Sequence, residues 1–334
     1  MDFRAICAAA LAASLWLPGA ALADCKLGAI DVPVSMVGRR LLVTAKVNGQ
    51  DEKFIVDSGA FFNSVSAKVA TALKLEPVKT TVTGSRIGVA GVADVEGIGG
   101  GVESVLVRAD KFEIAGGRFG RVPFLTFPAL GNEAGLIGQN FLHAMDVEYD
   151  LSHDKMKLMH PDGCKDANLA YWAPDGNYSV LPLLPSDREN RHTEAMIEVN
   201  GVKMRAIFDT GAETSFITKP AAARAGVKLT DPGVKTAGHS HGVDGNPVKT
   251  WVARFAKVKV GDEEINNGWL QIGDTSMDEE TDILIGADFF LAHRIYVANS
   301  QNQLYFSYLG GDVFDAGQGV SVAADDKTPK PAAK

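Results

Sequence analysis

The chain has 334 residues, enough for two domains of ordinary size, and its hydrophobic content of 46% suffices for two cores. Its formal net charge of −8, without any basic run, argues against a nucleic-acid partner. Many short runs of β-prone residues alternate with turn residues, and 35 residues are glycine. This pattern favours an all-β fold over alternating strands and long helices.

Residues 1–23 have the pattern of a secretory signal peptide. Arg4 lies in a short charged region, an apolar stretch follows over residues 5–17, and Ala21-Leu22-Ala23 is a small-residue cleavage motif before Asp24. The apolar stretch is short for a membrane span, and an uncleaved anchor is therefore the weaker alternative. We expect an exported protein, periplasmic or secreted, with no membrane span after cleavage.

Two cysteines remain once the signal peptide is removed. Cys25 stands near the start of the mature chain and Cys164 near its middle. An oxidising compartment would let them form a disulfide that closes a loop of about 140 residues. Two unrelated free thiols are the alternative.

A pattern near residue 43 recurs near residue 195. Residues alternate in polarity up to Val47-Asn48-Gly49 in the first copy and Val199-Asn200-Gly201 in the second, and this period of two predicts a half-buried strand. Seven residues separate each glycine from a tetrapeptide, Asp57-Ser58-Gly59-Ala60 or Asp209-Thr210-Gly211-Ala212. Asp, Ser and Gly are common in turns, so a single such tetrapeptide would carry little weight.

A second mark follows each tetrapeptide. Leu136-Ile137-Gly138 lies downstream of the first and Leu284-Ile285-Gly286 downstream of the second, and the residues after both glycines align without a gap for about two further strands. The chain is therefore a tandem duplication.

Four short helices are predicted from N-cap residues at matching places in the two copies. The predicted caps and helices are Ser66 with residues 67–73, Asn140 with 141–145, Thr218 with 219–225, and Asp288 with 289–293. An acidic residue beside a motif can also be catalytic, but a cap accounts for Asp288 at lower cost.

Two glycine-rich segments, residues 84–101 and 238–245, predict hairpins that fold over a cleft as flaps, with ordinary hairpin turns as the alternative. The first does not match the G-x-G-x-x-G pattern, so no dinucleotide cofactor is predicted. The second contains His239 and His241, the only metal-like pair in the sequence. No third ligand with a recognisable spacing accompanies them, and no metal site is predicted.

These patterns give the domain boundaries. Residues 24–163 are predicted to form the first lobe and residues 191–309 the second, with a turn-rich linker at 164–190. Residues 310–334 lack apolar periodicity and are predicted to be a disordered tail. One chain would then hold both lobes as a monomer, and pairing of lobes between chains is the alternative.

Two aspartates at matching positions can hydrolyse an amide without a nucleophile or a metal. One carboxylate acts as the base toward a water molecule, and the other donates a proton to the substrate carbonyl. At about 3 Å, two ionised carboxylates repel by ~5 kcal/mol at an effective dielectric of ~20, so the pair keeps one proton. Gly59 and Gly211 have no Cβ and permit close approach, and the hydroxyls of Ser58 and Thr210 can fix the loops.

The two marks resemble those of the retropepsin-like aspartic proteases, relatives of the retroviral protease. The resemblance covers residues 40–160 and 190–308, and each copy carries both marks. In that family one lobe supplies one aspartate and a homodimer completes the site. The resemblance implies two homologous β-barrel lobes in one chain, with Asp57 and Asp209 as the catalytic pair.

The sequence also departs from the retroviral pattern. Phe61-Phe62 and Glu213-Thr214 replace an acidic pair after the motif, and Gln139 and Ala287 replace an arginine. The ion pairs that brace the retroviral dimer are therefore not predicted here.

Together these features predict an exported aspartic endopeptidase. It would bind an extended peptide or protein substrate between the lobes, hydrolyse it with a water molecule activated by the two aspartates, and need no cofactor. The alternative is a secreted peptide-binding protein that keeps this fold without turnover.

Overall fold

In a computed structural model, the chain folds into two β lobes joined by a shared sheet. The structure describes residues 25–78, 92–97, 100–127, 132–186, 191–241, 246–275 and 280–316. The predicted signal peptide, parts of both glycine-rich segments, and the end of the chain from residue 317 lie outside the described residues. Within those ranges, no helix has the length and apolar character needed to cross a membrane.

The first lobe consists of thirteen described strands and two short helices. In chain order these are β1 (Lys26–Val37), β2 (Arg40–Val47), β3 (Gln50–Val56), β4 (Ser64–Ser66), α1 (Ala67–Ala72), β5 (Glu76–Pro77), β6 (Val92–Gly97), β7 (Gly100–Ala109), β8 (Phe112–Ile114), β9 (Gly117–Phe119), β10 (Val122–Phe127), β11 (Gly135–Ile137), α2 (Gln139–Leu142), β12 (Asp146–Asp150) and β13 (Lys155–Asp162).

The second lobe follows one connecting strand, β14 (Ser179–Pro182), and has nine described strands and two short helices. Its elements are β15 (Glu194–Val199), β16 (Val202–Phe208), β17 (Phe216–Thr218), α3 (Lys219–Arg224), β18 (Lys235–His241), β19 (Pro247–Val260), β20 (Glu263–Gly273), β21 (Ile283–Ile285), α4 (Ala287–Phe290), β22 (His293–Ala298) and β23 (Gln303–Tyr308).

Matching strands pair in the same way in the two lobes. β3 runs parallel to β11, with Ile55 opposite Leu136, and β16 runs parallel to β21, with Ile207 opposite Leu284. In the second lobe the order β15-β16-β21-β17-β20-β19 closes on itself, because β19 also pairs with β15. The prediction of an all-β fold with two homologous lobes and short helices is confirmed.

A six-stranded sheet joins the lobes in the order β14-β23-β22-β12-β13-β1. At its centre β12 of the first lobe lies antiparallel to β22 of the second, with Val147 opposite Val297. β1 leaves this sheet partway along its length and pairs with β2 from Val34 onward. Because β14 pairs with β23, part of the segment predicted as a linker is a strand of this sheet.

Asn-Gly turns set the register of the strands that lead to the aspartates. Asn48 and Gly49 have φ values of 48° and 90°, and Asn200 and Gly201 have values of 50° and 81°. Two consecutive residues with positive φ give a turn whose twist matches that of a β-hairpin, and Asn-Gly is the preferred pair for it. The two hairpins thus deliver β3 and β16 to the centre of the molecule in equivalent registers.

Each lobe is packed around phenylalanine rings. In the first lobe the ring centroid of Phe54 lies 6.4 Å from that of Phe112 and 6.0 Å from that of Phe124. In the second lobe Phe208 lies 5.9 Å from Phe289. All five residues are at most 1% exposed. Since Phe54 and Phe208 belong to the strands that end at the aspartates, both cores anchor the site.

Two of the four predicted helix caps are correct. The backbone N–H of Val69 donates to Ser66 Oγ at 3.2 Å, and that of Ala221 donates to Thr218 Oγ1 at 3.3 Å. The predictions for Asn140 and Asp288 are wrong, because α2 and α4 begin one residue before them. Their side chains are used elsewhere, as described below.

The predicted disulfide is present between Cys25 and Cys164. Cys25 immediately precedes β1 and Cys164 stands two residues after β13, and these strands pair with each other, with Lys26 opposite Asp162. The bridge therefore ties together the two ends of the first lobe. In the unfolded chain the same bridge closes a long loop, which lowers the entropy of that state.

The first part of the predicted disordered tail is packed against the second lobe. Phe314 is 1% exposed, and its carbonyl oxygen accepts a hydrogen bond from the N–H of Trp269 at 2.6 Å. Asp315 forms an ion pair with Arg39 of the first lobe. The prediction of disorder from residue 310 is thus wrong for residues 310–316.

Candidate active site

The two tetrapeptides begin where β3 and β16 end. The N–H of Asp57 donates to the carbonyl of Ile137 at 2.9 Å, and the N–H of Asp209 donates to that of Ile285 at 2.8 Å. These isoleucines end β11 and β21, the strands formed by the second sequence mark. Each lobe therefore places its two marks side by side.

The carboxyl groups of Asp57 and Asp209 lie side by side between the two loops. Loop amides hold both groups: the N–H of Ala60 donates to Asp57 Oδ1 at 2.8 Å, and that of Gly211 donates to Asp209 Oδ1 at 2.7 Å. The N–H of Gly59 lies 3.0 Å from Asp57 Oδ1 and 3.2 Å from Asp209 Oδ1. The structure thus brings the two predicted catalytic residues into direct contact.

The glycine after each aspartate makes this contact possible. A Cβ built on Gly59 would lie 2.2 Å from Asp209 Cγ, and one built on Gly211 would lie 2.4 Å from Asp57 Cγ. A Cβ at either position would overlap with the carboxyl carbon of the opposite aspartate. Each glycine therefore makes room for the carboxyl group of the opposite lobe.

The surroundings raise the pKa of both carboxyl groups. Burial raises the pKa of Asp57 well above its ordinary value, and the charge and hydrogen bond of Asp209 raise it further. Burial also raises the pKa of Asp209, but the N–H of Gly211 and the hydrogen bond from Asp57 oppose that rise by stabilising its charge. Both shifts favour a pair that keeps one proton between its two carboxyl groups.

Ser58 and Thr210 lock the two loops together by reciprocal hydrogen bonds. The N–H of Ser58 donates to Thr210 Oγ1 at 3.0 Å, and the N–H of Thr210 donates to Ser58 Oγ at 2.9 Å. Each hydroxyl in turn donates to a carbonyl of the opposite strand, Ser58 to Phe208 and Thr210 to Val56, both at 2.7 Å. Both residues are at most 3% exposed, so these bonds are shielded from water.

Replacing Thr210 with valine should lower the free energy of unfolding by about 2–4 kcal/mol, because two buried backbone groups lose their partners. These are the N–H of Ser58 and the carbonyl of Val56. Urea denaturation followed by circular dichroism measures the loss. Thr210→Ser is the control, since it keeps the hydroxyl, and equal stability of the two variants would contradict the role of these bonds.

A second set of hydrogen bonds supports each loop from behind. In the first lobe Asn140 Oδ1 accepts from the N–H of Asn63 at 2.7 Å, and Asn63 Oδ1 accepts from that of Gly138 at 2.8 Å. In the second lobe Asp288 Oδ1 accepts from the N–H of Ser215 at 2.9 Å. The hydroxyl of Ser215 accepts from the matching glycine amide, also at 2.9 Å. Asp288 is therefore a brace for the loop and not an N-cap.

Asp288 is an unusual brace because it can ionise. It is 2% exposed, and its Oδ2 has no hydrogen-bond partner among the described residues. Burial raises its pKa to about 6, against the hydrogen bonds from Ser215. Asn140 fills the equivalent place in the first lobe with a neutral side chain.

The raised pKa of Asp288 predicts a pH-dependent contribution to stability. The folded protein keeps a proton that the unfolded chain loses near pH 4, so this contribution is complete below about pH 4 and is lost as the pH rises through about 6. Relative to Asp288→Asn, the wild type should lose about 3 kcal/mol of unfolding free energy between pH 4 and pH 7. Denaturation of both proteins across this range measures the difference, and a difference independent of pH would contradict the shifted pKa.

Sequence reasoning missed several residues that connect the lobes. Gln139 Nε2 donates to the carbonyl of Ser58 at 2.8 Å and to Thr193 Oγ1 at 3.2 Å, so it supports the first loop from the place of the retroviral arginine. Arg40 Nε donates to Glu213 Oε1 at 3.0 Å across the lobes. An ion pair between the lobes therefore exists, although the sequence departures gave no reason to predict one.

The glycine-rich segments contain hairpins in the described residues. β6 pairs with β7 up to Gly97 opposite Gly100, and β18 pairs with β19 up to His241 opposite Pro247. His239 and His241 are exposed on β18. The described part of the chain contains no group of three His, Cys, Asp or Glu residues that could hold a metal ion.

A family model described as "Aspartyl protease" matches residues 43–141 and 195–289. Each matched segment contains one tetrapeptide and its second mark, and the two segments together make up more than half of the sequence. No curated protein matches the chain closely enough to be named as a relative.

Proposed function

The chain belongs to the aspartyl protease family, and from that premise we propose that it is an aspartic endopeptidase that cleaves peptides or proteins. The observation that carries the proposal is the proximity of Asp57 and Asp209, two carboxyl groups from equivalent loops that both lie within hydrogen-bond distance of the N–H of Gly59. Both aspartates come from one chain, so a monomer supplies the complete pair.

The reaction follows from the single proton that the two carboxyl groups share. The ionised carboxylate of the pair takes a proton from the attacking water molecule, while the protonated carboxyl group gives its proton to the oxygen of the scissile carbonyl. The tetrahedral diol then collapses as the carboxyl group that acted as the base protonates the leaving nitrogen and the other recovers a proton from a diol hydroxyl. The pair returns to its starting state, and no covalent intermediate forms.

Incubation of the mature protein with a denatured protein, followed by mass spectrometry of new termini, tests this proposal. New internal termini support an endopeptidase, and their absence at every pH between 2 and 8 contradicts it. Chelators and reagents for serine or cysteine nucleophiles should leave the rate unchanged, since the proposed reaction uses none of these groups. Loss of activity with a chelator would direct attention to His239 and His241.

The rate should depend on pH as a bell-shaped curve. The acid limb reports ionisation of the base, and the alkaline limb reports loss of the shared proton. Because burial and the charge of Asp209 raise the pKa of Asp57, the alkaline limb should lie well above the ordinary range of an aspartate. Measurement of kcat/KM at constant ionic strength tests this, and a rate that climbs steadily past pH 8 would contradict a shared proton.

We also propose that the protein is exported with removal of residues 1–23. The disulfide between Cys25 and Cys164 supports export, because disulfides persist in oxidising compartments. N-terminal sequencing of the protein recovered from the periplasm or the medium should give Asp24 as the first residue. Recovery of the intact chain from the cytoplasm alone would contradict this proposal.

A further inference from the structure

Two contacts between the lobes occupy equivalent places beside the aspartates. Phe61 and Glu213 each stand four residues after the aspartate of their own lobe, and Arg40 and His192 stand at equal distances before it. The ring of Phe61 meets that of His192 with centroids 6.1 Å apart. Glu213 meets Arg40 at 3.0 Å. The duplication therefore produced one contact twice, as a ring pair and as an ion pair.

The strand register places His192 beside the second aspartate. β15 and β16 continue to pair up to the hydrogen bond from the N–H of Phe208 to the carbonyl of Thr193, at 2.9 Å. The next pair in this register is His192 with Asp209. Burial has the largest effect on the pKa of Asp209 and raises it. The positive charge of His192 lowers the same pKa, because the histidine lies close to the carboxyl group.

Arg40 stands at the matching position before the first aspartate. Leu42 and Ile55 are the last residues that β2 and β3 pair, and Arg40 and Asp57 each stand two residues beyond that pair. Both contacts thus involve residues at matching sequence distances from the two aspartates, at the ends of the strands that lead to them. A peptide held across the two carboxyl groups would extend past both of them.

The two contacts offer different surfaces to such a peptide. Phe61 also stacks on Phe62, with ring centroids 6.3 Å apart, and both residues are partly exposed. Arg40 and Glu213 keep 49% and 54% of their side chains exposed, and Arg39 donates to the carbonyl of Glu213 at 3.3 Å. The aromatic rings favour burial of an apolar side chain. The ion pair disfavours one, because covering it removes water from charged groups.

We propose that these contacts make the site directional. A peptide places an apolar or aromatic side chain against Phe61, Phe62 and His192, and a polar or charged side chain at the equivalent place against Arg40 and Glu213. The inference rests on the proposed function and specifies which substrate side chains the two sides of the site prefer. In a symmetric site the same peptide would bind equally well in both directions.

Cleavage-site profiling with a peptide library tests the inference. Two substrate positions face the two contacts and are related by the symmetry of the lobes. At one of them the wild type should cleave substrates with an apolar residue at least ~10-fold more efficiently than substrates with a polar residue, and at the other it should show no such preference. Phe61→Glu combined with His192→Arg gives both sides an ion pair and should abolish the preference. Arg40→His combined with Glu213→Phe gives both sides a ring pair and should produce an apolar preference at both positions.

Two further measurements keep the test decisive. Phe62→Thr copies the residue type found at the equivalent place in the second lobe, and it should weaken the apolar preference with little risk to folding.

Binding of the same peptides to Asp57→Asn protein separates recognition from hydrolysis. Directional binding without cleavage by the wild type would support the inference and contradict the proposed function. Identical preferences on the two sides of the wild-type site, or a profile unchanged by Phe61→Glu with His192→Arg, would overturn the inference.

Discussion

Asp57→Asn and Asp209→Asn should each lower kcat/KM for peptide hydrolysis by at least ~10³-fold. The two carboxyl groups act as one unit, and an asparagine can neither take a proton from water nor supply the shared one. Both variants keep the shape of the aspartate side chain. The fold should therefore persist, and removal of one of two adjacent carboxyl groups should leave thermal stability unchanged or raised.

Hydrolysis of a fluorogenic peptide by the purified variants measures this effect, with circular dichroism as the control for folding. Asp288→Asn provides a matched comparison, because it also neutralises a buried aspartate but touches neither reacting carboxyl group. It should retain most of the activity. A natively folded Asp57→Asn or Asp209→Asn protein with near wild-type turnover would exclude the mechanism with two aspartates.

Gly59→Ala should also abolish activity, because the new Cβ would lie 2.2 Å from Asp209 Cγ and would push the two carboxyl groups apart. A displacement of about 1 Å at reacting groups lowers rates by roughly 10²-fold or more. Gly211→Ala should have the same effect through Asp57. Stability should fall as well, since the loops are locked together by buried hydrogen bonds.

Gly120→Ala is the matched control for this prediction. A Cβ at Gly120 meets nothing within 4 Å, so the same substitution there should preserve both activity and stability. Steady-state kinetics and thermal denaturation of the three variants give the comparison. Full activity of Gly59→Ala would show that the close approach of the carboxyl groups is not needed for the reaction.

The sequence predicted those features that the duplication repeats. The Asn-Gly turns, the tetrapeptides and the later glycines recur at nearly constant spacing, and equal spacing in two lobes of one fold leads to equal positions. The contact between Asp57 and Asp209 could therefore be anticipated. The caps Ser66 and Thr218 could also be anticipated, because a cap acts within a few residues of its position.

Features that depend on long-range contacts could not be predicted. Asp288 and Asn140 have the residue types of caps, but their partners Ser215 and Asn63 lie more than 70 positions away along the chain. The tail was misjudged for the same reason, since the single apolar residue Phe314 gives no periodicity although it packs fully into the second lobe. A local pattern cannot reveal such partners.

The link between Arg40 and Glu213 had one available signal. Arg40 and His192 stand at the same place in the two repeats, as do Glu213 and Phe61, and a comparison of the repeats position by position would have grouped these residues. It would not have shown which residue meets which, because the contacts cross between lobes. The pairing of Arg40 with Glu213 and of Phe61 with His192 is visible only in the folded structure.

The most direct test of the account is the affinity for a peptide with a statine-type hydroxyl at the cleavage position, compared with the same peptide lacking that hydroxyl. The hydroxyl takes the place of the attacking water molecule between Asp57 and Asp209. A catalytic pair should bind the hydroxyl peptide at least ~100-fold more tightly, and Asp57→Asn should remove most of that advantage. Equal affinity of the wild type for the two peptides would contradict catalysis by this pair and would indicate a peptide-binding protein.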